Sequence, residues 1–229
     1  MGRAFLQATS LLLLSLLTLV PAGCSALSAA AAGIAGTSVV KPVYPAPGSS
    51  DPGFKGQSIA VMAWADDSLR FEHNMLIMDL TRGVSQKLQG SQARKAEELV
   101  GATFPRDRSP DAMYAFQKNY PELAADPIVE IAPRFGVTRL IYIEVASFDL
   151  HSGSVVDLSR GSLIATVTVV EVANGKGKIA FNSTVDATFP EHSPEEGVPN
   201  LTDQQTYIGT VDQFCTNVVK KFVTYPGEE

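Results

Sequence analysis

The chain begins with an apolar leader that ends at a cysteine, and this feature limits which residues are available to form a folded domain. Arg3 supplies one positive charge, residues 4–20 form an apolar run, and Pro21-Ala22-Gly23 lead directly into Cys24. This order is typical of a secretory signal with a lipoprotein cleavage site, at which the cysteine thiol receives a diacylglycerol. The sequence therefore predicts a signal peptide at 1–23 and a lipidated Cys24.

Two alternatives to lipidation stay open, because Pro21 stands where the lipoprotein pattern usually has leucine. Cleavage within residues 26–36 would release a soluble protein. Retention of residues 4–20 would leave a membrane anchor, since about 20 apolar residues span a bilayer. If Cys24 is acylated and the host has two membranes, Ser25 in place of aspartate favours sorting to the outer membrane, with the protein facing the periplasm.

The residues after the cysteine have the composition of a tether. Residues 24–56 are rich in Ala, Gly, Ser and Pro, and such a segment buries too little apolar surface to offset its ordering entropy. We therefore predict a lipidated cysteine and tether over 24–56. Residues 57–229 are then one domain, because that length is enough for a single core.

Charge and cysteine content limit the partners and the covalent chemistry. The chain has 24 acidic and 18 basic residues, a net charge of −6, and no basic face of the kind that binds nucleic acid. The cysteines are Cys24 and Cys215, so acylation of Cys24 leaves no intramolecular disulfide. Cys215 is predicted to be a small core residue, with a reactive thiol as the alternative.

The spacing of apolar residues predicts an α/β fold, a single domain with a mixed β-sheet flanked by helices. Residues 96–104 read as a helix end passing into a short strand, and Asn174-Gly175 predicts a hairpin turn. Predicted helices cover 72–89, 109–120, 128–135 and 203–225, the last with an apolar face that includes Ile208 and Phe222, and predicted strands cover 57–64, 139–145, 161–172 and 178–189.

One passage carries a resemblance to a known group of proteins. Residues 132–143, Ala-Pro-Arg-Phe-Gly-Val-Thr-Arg-Leu-Ile-Tyr-Ile, join a helix end, a glycine and a strand. With Ile59-Ala60-Val61-Met62 and the hairpin around Gly175-Lys176, this passage resembles bacterial envelope lipoproteins whose domain is similar to the amino-terminal domain of TolB. The group includes the curli-secretion lipoprotein, activators of penicillin-binding proteins, and uncharacterised lipoproteins that share Ala63-Trp64-Ala65-Asp66 and Phe189-Pro190-Glu191. The resemblance implies a TolB-like fold and carries over no functional residues.

The sequence contains none of the common catalytic or cofactor motifs, so we expect no enzyme activity, no cofactor and no metal site. Asp66 and Asp67 follow the strand predicted at 57–64, where α/β folds tend to bind ligands. They are candidate ligand-binding residues, with a helix cap as the alternative. Met75 and Met78 are predicted to lie in the core rather than to bind a soft metal with His73. The acidic loop 191–196 is predicted to be solvated rather than to bind calcium.

Two functions from different classes fit these observations. The first is a membrane-anchored lipoprotein with a non-enzymatic role in envelope assembly or partner activation through protein–protein contacts. Its partners are then the membrane, through the lipid, and an envelope protein or a second copy. The alternative is a lipoprotein that binds a small ligand in a pocket near Asp66 and Asp67, for which a closed apolar pocket with a few polar groups would be required.

Overall fold

The computed structural model describes residues 39–226 except for 92, 122–124, 152–157, 193 and 196. The predicted signal peptide at 1–23 and Cys24 lie outside the described residues. Contacts between residues define a compact unit from Val40 to Tyr225, and nearly all of the second unit, Met1–Val39 with Pro226–Glu229, falls outside the description. The described helices and the central sheet all belong to the first unit.

In the described chain, a run of helices follows the first two strands, and three consecutive strands precede the last helix. The α-helices are α1 (Asp67–Glu72), α2 (Leu76–Gln89), α3 (Pro110–Asn119), α4 (Ile128–Ile131) and α5 (Asp203–Lys220). The strands are β1 (Val39–Val40), β2 (Ile59–Trp64), β3 (Arg139–Asp149), β4 (Gly161–Ala173), β5 (Lys176–Phe189) and β6 (Tyr225–Pro226). Short 3-10 helices occur at Ala93–Lys95, Glu97–Leu99, Arg106–Arg108 and Ala132–Phe135.

A four-stranded mixed sheet in the order β2-β3-β4-β5 forms the centre of the fold. β2 and β3 are parallel, as expected for strands joined through helices, and the other neighbouring pairs are antiparallel. The predicted α/β class with one mixed sheet and flanking helices is confirmed.

Helices pack on both faces of the sheet. On the first face, Val61, Ile143 and Val167 belong to a large buried cluster with residues of α2 and α5. On the second face, Met62 and Leu140 lie in a smaller cluster with Met113 of α3 and Ile131 of α4. The alternation of side chains along each strand assigns them to the two faces, so the fold has three layers.

Local sequence signals set several of the element boundaries. The Ser109 hydroxyl accepts a hydrogen bond from the amide of Ala112 at the start of α3, and Thr202 and Gln205 form a capping box at the start of α5. The β4–β5 hairpin turns at Asn174 and Gly175, whose φ angles of 51° and 72° are those of a two-residue hairpin loop. The helix starts predicted near 109 and 203 and the predicted hairpin turn are confirmed.

Some elements differ from the prediction in their extent. The helix predicted at 72–89 begins later than expected, as α2 at Leu76, because the separate short helix α1, capped by Asp66, ends at Glu72 and the chain breaks at His73. Met75 lies in that break and is 51% exposed, so its predicted core position is wrong, whereas Met78 is buried. In residues 96–104, the 3-10 helix Glu97–Leu99 is followed by a single bridge between Thr103 and Ser58.

The helix predicted at 203–225 is shorter than expected and exposes one residue of its predicted apolar face. α5 ends at Lys220, and the following Phe222 is fully buried outside the helix. Ile208 is 57% exposed, because it lies on the side of α5 away from the sheet.

The tether predicted over 24–56 is wrong in its second half. Tyr44 and Phe54 are buried in the first-face cluster, with ring centroids 5.2 Å apart. The amide of Tyr44 donates to the carbonyl of Lys221 at 3.1 Å, and Asp51 accepts a hydrogen bond from Arg139 Nη2 at 3.0 Å. The folded unit therefore begins well before Gln57, because two aromatic anchors outweigh the Pro-rich composition around them.

Candidate binding cleft

An open cleft of about 210 Å³ lies on the second face of the sheet, beside the carboxyl end of β2. We call this feature the aromatic cleft. The sheet supplies Met62 and Trp64 from β2 and Tyr142 from the neighbouring β3, and helices α3 and α4 supply the opposite wall. On the same face, Ala60, Leu140 and Val170 are buried in a cluster with residues of α3 and α4, and Tyr142 is partly buried against that cluster.

Aromatic side chains dominate the walls of the cleft. Phe116 packs against Tyr120, with centroids 5.0 Å apart, and against Phe135 at 4.8 Å. Tyr120 is 49% exposed at the rim. Described residues that line the cleft are Met62, Trp64, Arg70, Ile77, Tyr114, Phe116, Gln117, Lys118, Tyr120, Pro121, Asp126, Ile128, Ile131 and Tyr142.

Three polar side chains of the cleft, those of Gln117, Arg70 and Asp126, already have partners. Gln117 Nε2 donates to the carbonyl of Ala63 at 2.7 Å, which fixes α3 to the edge of β2. Arg70 pairs with Asp67 at 3.4 Å, and Asp126 pairs with Arg134 at 3.9 Å. Both ion pairs are exposed, and pairs of this kind contribute little to stability. Arg70 and Asp126 can therefore leave these pairs and contact a ligand at a small cost in free energy.

Tyr142 stays protonated in the cleft over the physiological range. Burial is the main cause that raises the pKa of its phenol above the ordinary value of 10.0, and the charge of Glu144 adds to the rise. The Tyr142 hydroxyl is therefore a neutral donor and acceptor at the wall of the cleft.

The sequence-predicted candidates Asp66 and Asp67 lie at the carboxyl end of β2 but do not line the cleft. Asp66 caps α1, where its carboxylate accepts from the Leu69 amide and the Ser68 hydroxyl, both at 2.9 Å. These hydrogen bonds hold the pKa of the Asp66 carboxyl below its usual value, with the Leu69 amide the larger cause. The structure therefore shows Asp66 in the helix-cap role, and ligand binding by this pair stays a prediction.

The cleft residues themselves do not stand out in the sequence. They come from β2, α3 and β3, which are separated by tens of residues, and no local spacing connects them. One signal is present: Trp64 is the single tryptophan of the chain and follows an apolar run. An aromatic residue at the end of a buried strand is a candidate to line a binding site at that end of the sheet.

The other candidate groups in the described structure are less suited to binding or catalysis. Cys215 is fully buried, as predicted, and burial raises the pKa of its thiol to about 12. Among the described residues, no three His, Cys, Asp or Glu side chains are grouped so that they could hold a metal ion. No helix within the described ranges has the length and apolar character to cross a bilayer.

Comparisons with known proteins give a few solved structures and no family. No protein-family model and no curated protein matches the chain. The fold is similar to the lipoprotein GNA1162 from Neisseria meningitidis, with 17% identity and a TM-score of 0.39 over 66% of this chain and 90% of the Neisseria chain. It is also similar to the hypothetical protein CT253 from Chlamydia trachomatis, with 12% identity and a TM-score of 0.41 over 73% and 97% of the two chains. One of these neighbours is a lipoprotein, and the likeness to the TolB domain stays a prediction.

Proposed function

We propose that this protein is a membrane-anchored, non-enzymatic lipoprotein that binds an envelope protein partner through the aromatic cleft and so serves assembly or activation of that partner. The observation that carries the proposal is the cleft itself, an open hollow walled by Trp64, Tyr114, Phe116, Tyr120 and Tyr142. Tryptophan, tyrosine and arginine are the residues most enriched where protein interfaces gain their binding energy.

The size of the cleft favours protein side chains over a small molecule. Pockets for drug-sized ligands usually measure about 300–1,000 Å³ and enclose most of the ligand. The aromatic cleft is smaller, about 210 Å³, and is open to solvent. It fits one or two apolar side chains from a partner surface. The small-ligand alternative has less support, because Asp66 and Asp67 do not line the hollow.

The sequence supports the anchored half of the proposal. Acylated Cys24 would carry two or three chains, and two or more chains hold a protein firmly at a membrane. The residues between Cys24 and Val40 would then connect the lipid to the compact unit that begins at Val40. Such a protein, sorted to the outer membrane and facing the periplasm, would meet its partners in the envelope.

The proposal is tested by crosslinking and co-purification from native envelopes, with wild type, Tyr120→Ala and Cys24→Ser compared. Ile208→Ala is the matched control, because Ile208 is similarly exposed but lies on α5, on the other side of the sheet. We expect one partner protein at near-stoichiometric yield from the wild type and the control. Tyr120→Ala should lower that yield about tenfold, as loss of an interface hot spot does, and Cys24→Ser should abolish it.

Recovery of nothing, or of this protein alone, from all four forms would overturn the assembly role and make a small ligand the leading idea. Equal recovery from wild type and Tyr120→Ala would show that the partner binds elsewhere.

A further inference from the structure

The second face of the sheet extends beyond the cleft without a described helix to cover it. Trp64, Glu144, Thr166 and Thr184 pair across the four strands and form one row. Glu144 and Thr184 are exposed, while the row before them contains Met62 and Tyr142 of the cleft. The cleft and this row are therefore one continuous surface, which we call the open face.

The strand rows of the open face contribute only acidic charge, while the helix wall of the cleft contributes Lys118 and Arg70, which pairs with Asp67. Glu144 is paired with Trp64 across the strands and acts electrostatically on Tyr142, so its carboxylate lies beside the cleft. In the next row, Ile164 is 42% exposed and pairs with the exposed Asp186. The strand positions in these rows contain no lysine or arginine. A second copy docked with these strand rows against each other would place like charges in proximity, which disfavours self-association through the rows.

We infer that the open face docks a basic segment of a partner protein, with an aromatic or aliphatic side chain in the cleft and lysine or arginine against Glu144 and Asp186. The inference rests on the proposed function and specifies the chemistry of its partner. Alternation along an extended segment places every second side chain on the sheet, which matches an apolar anchor with basic residues at alternate positions.

Addition of a partner strand to the edge of β2 is disfavoured, so side-chain contact with the face is the better mode. The Ala63 amide donates to Thr81 Oγ1 at 3.1 Å, and the Ala63 carbonyl accepts from Gln117 at 2.7 Å. At the other end of this strand, the Ile59 amide donates to the carbonyl of Thr103 at 2.8 Å. Three of the backbone groups that an added strand would use on β2 are thus already bonded.

Trp64 supplies a specific probe, because it is the only tryptophan and lines the cleft. The full-length protein in detergent is titrated with a short synthetic peptide in which a phenylalanine is flanked by lysine at every second position. A second peptide has glutamate in place of each lysine. Trp64 fluorescence is followed in both titrations. We expect saturable binding of the lysine peptide that weakens as salt is raised, and much weaker binding of the glutamate peptide.

Glu144→Lys is expected to weaken binding of the lysine peptide about three- to tenfold, as exposed charge pairs and their reversal do. Asp212→Lys is the control, since it makes the same charge change on α5, on the opposite side of the sheet, and should leave the affinity unchanged. Equal affinity for both peptides, no effect of Glu144→Lys, or no response of Trp64 to either peptide would each overturn the inference. Envelope crosslinking that depends on Tyr120 can succeed in all three cases, so the proposed function is tested separately.

Discussion

At the scale of single residues, Cys215 shows how burial decides the chemistry of a side chain. Its Sγ lies 4.0 Å from the carbonyl of Leu80, and burial raises the pKa of the thiol to about 12, against an ordinary value of 9.0. The thiolate is the nucleophile, so at pH 8 only about one thiol in ten thousand is reactive. Cys215 is therefore a packing residue.

Cys215 is expected to resist iodoacetamide in the native protein at pH 8 and to react readily in urea. Labelling is measured by mass spectrometry on Cys24→Ser, which has no other cysteine. Rapid stoichiometric labelling without denaturant would contradict the burial of the thiol.

The raised pKa of Tyr44 predicts how the stability of the folded protein changes at alkaline pH. Burial is the main cause that raises the pKa of its phenol to about 12, from 10.0. The unfolded chain loses this proton near pH 10, whereas the folded chain keeps it to about pH 12. The unfolded state binds fewer protons in that window, so the free energy of unfolding should fall as the pH rises from 10 to 12.

Tyr44→Phe should make that decline shallower, measured by urea unfolding at a series of pH values. The decline should persist in part, because the pKa values of Tyr142 and Tyr207 are also raised by burial. Tyr120→Phe is the control for loss of an exposed phenol. An unchanged slope in Tyr44→Phe would show that Tyr44 does not titrate with folding.

At the scale of elements, the close approach of α2 and α5 depends on a glycine. A Cβ added at Gly83 would lie 2.6 Å from Cys215 Sγ, which is closer than real Cβ contacts allow. Gly83→Ala should therefore destabilise the protein by about 1–3 kcal/mol, the usual cost of overpacking. Cys215→Ala removes the sulfur and should recover much of that loss in the double variant.

Thermal and urea unfolding of the two single variants and the double variant measure this coupling. If the changes in the free energy of unfolding simply add in the double variant, the residues at positions 83 and 215 are not in contact.

Elements are predictable where the signal is local. Ser109 before Pro110, and Thr202 with Gln205, satisfy free helix amides, so the starts of α3 and α5 can be predicted to within a few residues. Asn174-Gly175 likewise determines a hairpin from two residues. Met75 and Ile208 are misassigned because helical spacing tells which residues share a side, and the packing of neighbouring elements decides whether that side is covered.

At the scale of the whole molecule, the features that the sequence does not reveal depend on contacts between distant residues. Tyr44 joins the core because Phe54, Phe181 and Phe222 surround it, with centroids 5.2–6.1 Å away. Its surroundings in the sequence are Pro-rich and indicate a tether. The aromatic cleft escapes prediction for the same reason, since Trp64, Tyr114 and Tyr142 meet only when the sheet and α3 assemble.

The buried network around Arg139 ties the segment before β2 to the sheet. Arg139 is 2% exposed, and it donates to Tyr44 and Asp51 and pairs with Glu171 at 3.4 Å. This contact lies at the amino end of β3, while the cleft lies at the carboxyl end of its parallel neighbour β2. The segment before β2 therefore contacts one end of the sheet, and the cleft lies toward the opposite end.

The most direct test of the central claim is photo-crosslinking in native envelopes from a photoreactive residue at position 120, compared with one at position 208. We expect one discrete protein adduct from position 120, none from position 208, and loss of the adduct in Cys24→Ser. Adducts of equal yield from both positions, or none from position 120, would contradict binding of a partner in the aromatic cleft.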